Sequence, residues 1–222
     1  MDTFLFSFFT VAYIVLFVLG LLLFRTYHIQ SILLLLPVMV GLIYDNGIIA
    51  IGRYIGAGTL LEGLNLARFW IHALFTPMLV LYAWKTLEQG EVLWAKQSLG
   101  RISAFLLTVS LVLIELFTEV FGLNLVASVE YDVLSYSSNE ISNGPPIMVL
   151  GVSLVLFVAS IIIWRKQKWP WFFVGSLLMI IGSAVGLPIE SGAVINFFEV
   201  ALISSLLCTA YFQNKRGTRK TG

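Results

Sequence analysis

Several polar and ionisable side chains stand inside long apolar stretches of this sequence, where they are costly in the hydrocarbon core of a bilayer. They are Asp45, Asn46, Asn65, Arg68, His72, Thr76, Glu115, Thr118, Glu119, Asn196 and Glu199. An imidazole titrates near neutral pH, carboxyl groups exchange protons, and a guanidinium can bind an anionic group through two hydrogen bonds. These residue types fit solute binding or proton transfer.

Their spacing places the polar residues of each apolar stretch on one helical face. Positions three, four, seven and eleven apart lie on one side of an α-helix. The groups with this spacing are Asn65, Arg68, His72 and Thr76; Glu115, Thr118 and Glu119; and Asn196 and Glu199. Because lipid offers no hydrogen-bond partner, each face must turn toward other helices or a water-filled cleft.

Four ionisable groups also share a predicted depth in the membrane. Asp45, His72, Glu115 and Glu199 each lie about six or seven residues from the outer end of their stretch, which is roughly 9–11 Å at the helical rise. If these four side chains contact one another, they are expected to lie at one depth in the membrane. The sequence therefore predicts one outward-facing polar pocket, against the alternative that Arg68 pairs with an acid only to lock the bundle together.

Three function classes remain open for such a pocket. In a transporter, Arg68 and Asn65 would bind a small solute, and proton exchange at Glu115, Glu199 or His72 would drive its movement. In a membrane-embedded enzyme, Arg68 and Arg53 would hold the phosphate of a lipid or isoprenoid, with His72 and a carboxylate as general acid and base.

The third class is an assembly or sensor protein whose acidic external loop binds a partner. We favour transport, because the enzyme reading lacks a recognisable nucleophile or phosphate-binding motif. No metal or other cofactor is expected: there is no paired-histidine zinc motif, and no predicted span contains the lysine that a retinal Schiff base needs. The expected partners are the lipid bilayer and a small solute, proton or lipid head group.

Composition identifies the elements that must position these residues. The chain has 222 residues, of which 59% are hydrophobic and only 11% charged, with a mean hydropathy of +0.96. Soluble domains carry about a quarter charged residues. The net charge of +1 gives no reason to expect a nucleic-acid partner, and the single cysteine, Cys208, excludes an internal disulfide.

Apolar stretches long enough to cross a bilayer predict an all-α integral membrane protein with a seven-helix bundle. The predicted spans lie near residues 4–24, 31–52, 66–84, 102–121, 146–164, 170–187 and 193–212. Together they form one transmembrane domain, residues 1–213, followed by a basic tail, residues 214–222. A faint repeat, which aligns Glu62 with Glu190 and Ala73 with Ala201, predicts a 3+1+3 arrangement.

The distribution of lysine and arginine predicts the orientation. Most of the 13 basic residues fall in alternate loops and in the tail, with Arg53 the exception in the opposite loops. Basic loops stay cytoplasmic. We therefore expect the N-terminus outside, the C-terminus in the cytoplasm, and residence in a bacterial plasma membrane.

Local features add four smaller predictions. Pro77 should kink the third span, because proline cannot donate a backbone hydrogen bond. Residues 123–145 should form a loop with a partly inserted or surface-lying first half, and residues 85–101 a short amphipathic surface helix. The glycine pairs Gly52/Gly56 and Gly182/Gly186 should allow close helix packing.

Overall fold

The computed structural model describes residues 2–138, 146–184 and 191–221, with side chains as far as Gly217 in the last segment. Its α-helices and the two β-strands follow in chain order: α1 Asp2–Tyr27, α2 Leu36–Ile55, α3 Thr59–Phe75, α4 Met78–Gln89, α5 Ser98–Glu115, β1 Leu125–Glu130, β2 Val133–Ser138, α6 Ile147–Gln167, α7 Trp171–Ala184 and α8 Ile195–Thr221. A 3₁₀ turn, Gln30–Leu34, precedes α2, and a π-helical turn, Leu116–Val120, extends α5.

Within the described residues, six helical segments are long and apolar enough to cross a membrane. They are Asp2–Tyr27, Gln30–Ile55, Thr59–Gln89, Ser98–Val120, Ile147–Gln167 and Ile195–Gly217. The chain is therefore a multi-pass helical membrane protein. A shorter apolar helix, α7, has 14 described residues.

The count of seven spans, the orientation, the 3+1+3 repeat and the bacterial plasma membrane stay predictions. The predicted sixth span, residues 170–187, ends outside the described residues, as does Glu190, which the repeat aligns with Glu62. The tail after residue 213 continues α8 as a helix through Thr221.

The helix is interrupted at Pro77, as the sequence predicts. The backbone N–H of Thr76 donates to the carbonyl of His72 at 3.1 Å, and the next α-helix begins at Met78. Because Pro77 has no N–H, the regular hydrogen-bond ladder cannot continue through it. The break leaves α3 and α4 as two halves of one membrane span.

Residues 125–138 form an antiparallel β-hairpin, so the all-α prediction is wrong for this segment. Leu125 pairs with Ser138, and Glu130 with Val133. The connecting residues Tyr131 and Asp132 have φ of 50° and 72°, which suits a two-residue hairpin turn. The rest of the predicted loop, residues 139–145, lies outside the described residues.

The hairpin packs on the C-terminal part of α2 at a glycine. A Cβ built on Gly52 would lie 2.1 Å from the carbonyl oxygen of Leu134. Glycine is therefore required here for contact with a strand, and not for the helix–helix contact that the Gly52/Gly56 spacing predicts. Arg53 forms an ion pair with Asp132, which ties the hairpin turn to the end of α2.

The predicted surface helix at residues 85–101 is not present as such. The first part of this segment continues α4 to Gln89, a 3₁₀ turn follows at Trp94–Lys96, and α5 begins at Ser98. The Trp84 indole donates to the carbonyl of Ala95 at 2.9 Å and closes the connection. The hydrogen-bonded turn needs fewer residues than an amphipathic helix and joins α4 directly to α5.

The main core lies between α1, α2, α4, α5, α6, α7 and α8. Helices α7 and α8 approach closely at Gly182, where a Cβ would lie 2.4 Å from the ring of Phe198. This agrees with the predicted role of Gly182, while its partner Gly186 lies outside the described residues. The close packing fixes α8, which carries part of the polar site described next.

Candidate functional site

An ion pair between α2 and α3 lies at the centre of the polar region. Arg68 Nε donates to Asp45 Oδ1 at 2.8 Å, and Arg68 Nη1 donates to Asn65 Oδ1 at 2.6 Å. Asn65 is itself held by a bond from its amide to the carbonyl of Leu61 at 2.8 Å. The side chain of Arg68 is 16% exposed and that of Asp45 38%, so the pair is only partly shielded.

The ion pair lines one cavity of about 300 Å³, between α2, α3 and the start of α8. Its polar lining residues are Asp45, Arg68, His72, Thr76, Asn196 and Glu199. Phe6 and Ile49 are among the apolar residues that complete the wall. The cavity thus combines a carboxylate–guanidinium pair with a second carboxyl group from a helix distant in sequence.

Tyr13 of α1 supports the α8 side of this cavity. Its hydroxyl lies 3.1 Å from Glu199 Oε2 and 3.2 Å from Asn196 Oδ1, and the residue is fully buried. The carbonyl oxygen of Asn196 lies 3.3 Å away as well, and since a hydroxyl has one proton to donate, the three acceptors share it. Asn196 also donates through Nδ2 to the carbonyl of Ala193 at 3.2 Å.

Sequence reasoning missed Tyr13. A tyrosine in an apolar span is usually explained by packing, and no neighbouring charge draws attention to it. A signal was nevertheless present, because a phenolic hydroxyl in the middle of a membrane helix needs a hydrogen-bond partner.

The ion pair also lines a second cavity, of about 360 Å³. Asp45, Arg68 and His72 line it together with Glu115 and Glu119. His72 Nε2 lies 4.0 Å from Glu115 Oε1, and His72 Nδ1 lies 3.2 Å from the hydroxyl of Thr76. The imidazole is therefore placed between a carboxyl group and a hydroxyl, and it pairs electrostatically with Glu115 only when it is protonated.

The π-helical turn at the end of α5 changes the predicted face of Glu115, Thr118 and Glu119. The Phe121 N–H donates to the carbonyl of Leu116 at 2.8 Å, an i to i+5 bond that places an additional residue in the turn. Glu115 and Glu119 consequently line the second cavity, whereas Thr118 is exposed and bonds to the carbonyl of Ile114.

The structure thus gathers most of the sequence-predicted residues around two cavities that share three lining residues. Asp45, Arg68 and His72 line both cavities, and we call these three shared residues the partition. Glu199 lines the first cavity and Glu115 the second.

Three predicted lining residues do not line either cavity. Asn65 acts through its bond to Arg68, and Thr118 points away. Asn46 is buried, and its amide donates to the carbonyl of Leu42 at 3.0 Å. The position next to Asp45 lies about 100° around the helix, so Asn46 cannot share the cavity-facing side of α2.

The charge of the lining is predominantly acidic. Asp45, Glu115, Glu119 and Glu199 supply four carboxyl groups against the one guanidinium of Arg68. In the described part of the chain, His, Cys, Asp and Glu residues form no group of three or more that could hold a metal ion. The lining as it stands therefore suits a proton or a small cationic group.

The chain matches no protein-family model, and no curated protein is similar to it.

Proposed function

We propose that this protein is a membrane transporter for a small solute or ion, whose movement is coupled to protons at the partition. The single observation behind the proposal is that Asp45, Arg68 and His72 line two cavities at once. A group bound in either cavity can therefore contact the same ion pair and the same imidazole.

The ion pair provides an element with two states. When a cationic group of the solute competes for Asp45, the bond from Arg68 Nε at 2.8 Å weakens. Arg68 retains its bond to Asn65, so the guanidinium stays on α3 while the link to α2 is released.

The two glutamates supply one proton site in each cavity. Glu199 accepts a hydrogen bond from Tyr13 in the first cavity, and Glu115 lies 4.0 Å from His72 in the second. The imidazole of His72 lines both cavities and can pass a proton between them, because its two nitrogens accept and donate in turn. Binding of solute and transfer of a proton thereby involve the same three residues.

The balance of charge favours a cationic or neutral solute over a phosphate. The enzyme hypothesis needs Arg53 and Arg68 for a phosphate, but each is paired with a carboxylate, Asp132 and Asp45 respectively. A phosphate would have to displace both acids and would meet additional carboxyl groups beside Arg68. These pairings support transport of a small amine or inorganic cation more than lipid phosphate chemistry.

The test is a flux measurement in proteoliposomes that contain a pH-sensitive dye. A panel of small amines and monovalent cations is added outside at a clamped membrane potential, and the internal pH is followed. We expect solute-dependent proton movement that is abolished by Asp45→Asn and by Arg68→Gln. Glu62→Gln, an exposed acid in the first turn of α3 that lines neither cavity, is the matched control and should retain wild-type flux.

Absence of flux for every solute and for protons alone would reject the proposal, provided that the protein elutes as a single folded species. Equal flux in the wild type and in Arg68→Gln would reject the role of the partition. Release of lipid phosphate in the same vesicles, without flux, would instead favour the enzyme hypothesis.

A further inference from the structure

A second candidate site lies at the opposite end of the bundle, between α8 and the turn that joins α6 to α7. An open groove of about 590 Å³ is lined by Trp169, Tyr211 and Phe212, with Lys215 and Arg216 at one end. The rings of Trp169 and Phe212 stack with centroids 4.2 Å apart and planes 8° apart. An apolar aromatic floor bounded by two cations has the form of a binding site for an acyl chain with an anionic head group.

A small polar cavity of about 100 Å³ adjoins the cationic end of this groove. Arg216 and Gln167 line both spaces, so the two are continuous at these residues. The Arg216 guanidinium uses Nη1 to donate to the carbonyl of Gln167 at 2.9 Å. It has five N–H donors in total, and further donors remain for an anionic group at this junction.

Two residues that line the polar cavity carry buried acceptors that lack a donor. Gln213 is 6% exposed, and its Nε2 donates to the carbonyl of Thr86 and to Gln167 Oε1, each at 3.0 Å. These two bonds fix the orientation of the amide, and they leave Gln213 Oε1 without a partner. Gln89 Oε1, in the same cavity, is likewise buried and unpartnered.

Buried acceptors without a donor are destabilising, so the group that fills this cavity should carry hydrogen-bond donors. A bare phosphate monoester is a poor match, because its oxygens are hydrogen-bond acceptors and would face the acceptor oxygens of the glutamines. A hydroxyl-bearing head group provides the donors.

We propose that this end of the protein binds an anionic glycerophospholipid whose head group carries hydroxyls, as in phosphatidylglycerol. One acyl chain lies along Trp169 and Phe212, the phosphate lies at Lys215 and Arg216, and the head-group hydroxyls donate to Gln89 and Gln213. Charge complementarity selects a lipid as the occupant, since the site lies at the end of the bundle where most basic residues fall. The proposal does not depend on the transport function.

The test compares three lipids with identical acyl chains, namely phosphatidylglycerol, phosphatidic acid and phosphatidylcholine. Each is titrated into the purified full-length protein in detergent, and binding is measured by native mass spectrometry and by the shift in melting temperature. We expect affinity to fall in the order phosphatidylglycerol, phosphatidic acid, phosphatidylcholine. Arg216→Gln and Lys215→Gln should each weaken phosphatidylglycerol binding about fivefold, the effect of one cation near a lipid phosphate.

Gln89→Met tests the head-group contact separately, because it removes the unpartnered acceptor and breaks none of the described hydrogen bonds. It should lower phosphatidylglycerol affinity toward that of phosphatidic acid and leave phosphatidic acid binding unchanged. Arg101→Gln, which removes an exposed cation near Trp84 and away from the groove, is the matched control and should bind like the wild type.

Equal affinity for the three lipids would overturn the proposal, since any acyl chain would then fill the groove. Equal affinity for phosphatidylglycerol and phosphatidic acid, or unchanged selectivity in Gln89→Met, would also overturn it, because either result would show that the head-group hydroxyls make no contact with the cavity. If Arg101→Gln lowers the affinity for phosphatidylglycerol as much as Arg216→Gln does, the attraction to the lipid comes from positive charge in general and not from the groove. If Arg216→Gln does not fold, Lys215→Gln and Gln89→Met decide the same question.

Discussion

The ion pair between Asp45 and Arg68 should couple α2 to α3 energetically, and a double-mutant cycle measures this coupling directly. Arg68 Nε and Asp45 Oδ1 lie 2.8 Å apart, and two unit charges about 4 Å apart attract by about 4 kcal/mol at an effective dielectric constant of about 20. Asp45 is 38% exposed, so screening reduces this figure. We expect a coupling free energy of about 2 kcal/mol.

The single substitutions should differ in a way that follows from burial. Asp45→Asn leaves the guanidinium of Arg68, which is only 16% exposed, with the amide of Asn65 as its described partner. We expect this change to lower the free energy of unfolding by about 3 kcal/mol. Arg68→Gln leaves Asp45 without its cation, but Asp45 is the more exposed of the two. The free energy of unfolding should therefore fall by only about 1–2 kcal/mol, because water or polar head groups can solvate the carboxylate.

The assay is reversible unfolding in mixed micelles, followed by helix content as the mole fraction of denaturing detergent rises. Wild type, Asp45→Asn, Arg68→Gln and the double variant form the cycle. The chain also contains its own control pair, Arg53 and Asp132, whose side chains are 60% and 55% exposed. Surface pairs contribute little, so the control cycle should give at most about 0.5 kcal/mol.

Two outcomes would refute this reasoning. If the Asp45–Arg68 cycle gives less than about 0.5 kcal/mol, the two residues act independently and the partition is not a coupled element. If both cycles give the same value, partial burial does not strengthen the inner pair, and the electrostatic argument for the site fails.

Two further substitutions test particular contacts. Gly52→Ala should lower the free energy of unfolding by about 1–3 kcal/mol in thermal unfolding, because its Cβ would overlap a carbonyl oxygen of β2 at 2.1 Å. Gly63→Ala is the control: no atom lies within 4 Å of its Cβ, and the substitution should stabilise the protein by about 0.5–1 kcal/mol. If Gly52→Ala is less destabilising than Gly63→Ala, the hairpin contact is contradicted. Tyr13→Phe should lower the free energy of unfolding by about 1–2 kcal/mol and alter proton uptake, because it removes the buried hydroxyl 3.1 Å from Glu199. Tyr54→Phe, at a residue that is 81% exposed, should leave both measurements unchanged. Equal effects in the two variants would show that the Tyr13 hydroxyl has no specific role.

Features that depend on neighbours within one helix were accessible from the sequence. The break at Pro77 follows from the missing N–H of proline, whatever surrounds it. The shared face of Arg68, His72 and Asn65 follows from helical periodicity, and in the structure Arg68 bonds to Asn65 while all three lie in the polar region. Apolar length and low charge likewise identify a multi-pass membrane protein, because a bilayer imposes both.

Features that depend on contacts between distant segments were not accessible. The segment after α5 has apolar and β-branched residues at positions that suit either a surface-lying element or a strand, and its packing on Gly52 selects the hairpin. The π-helical turn that moves Thr118 away from Glu115 has no sequence signature in a single chain. The predicted depths place the ionisable groups in one layer but do not say which acid pairs with Arg68.

For this protein, the sequence by itself determined that apolar helices cross a membrane and carry stripes of polar residues that must avoid lipid, since periodicity and transfer energy are local properties of the chain. Only the tertiary structure decided that Asp45 is the acid that pairs with Arg68, and that the Tyr13 hydroxyl bonds to Glu199. Pairing is decided by the rotation and approach of whole helices, and these depend on the packing of every residue between them.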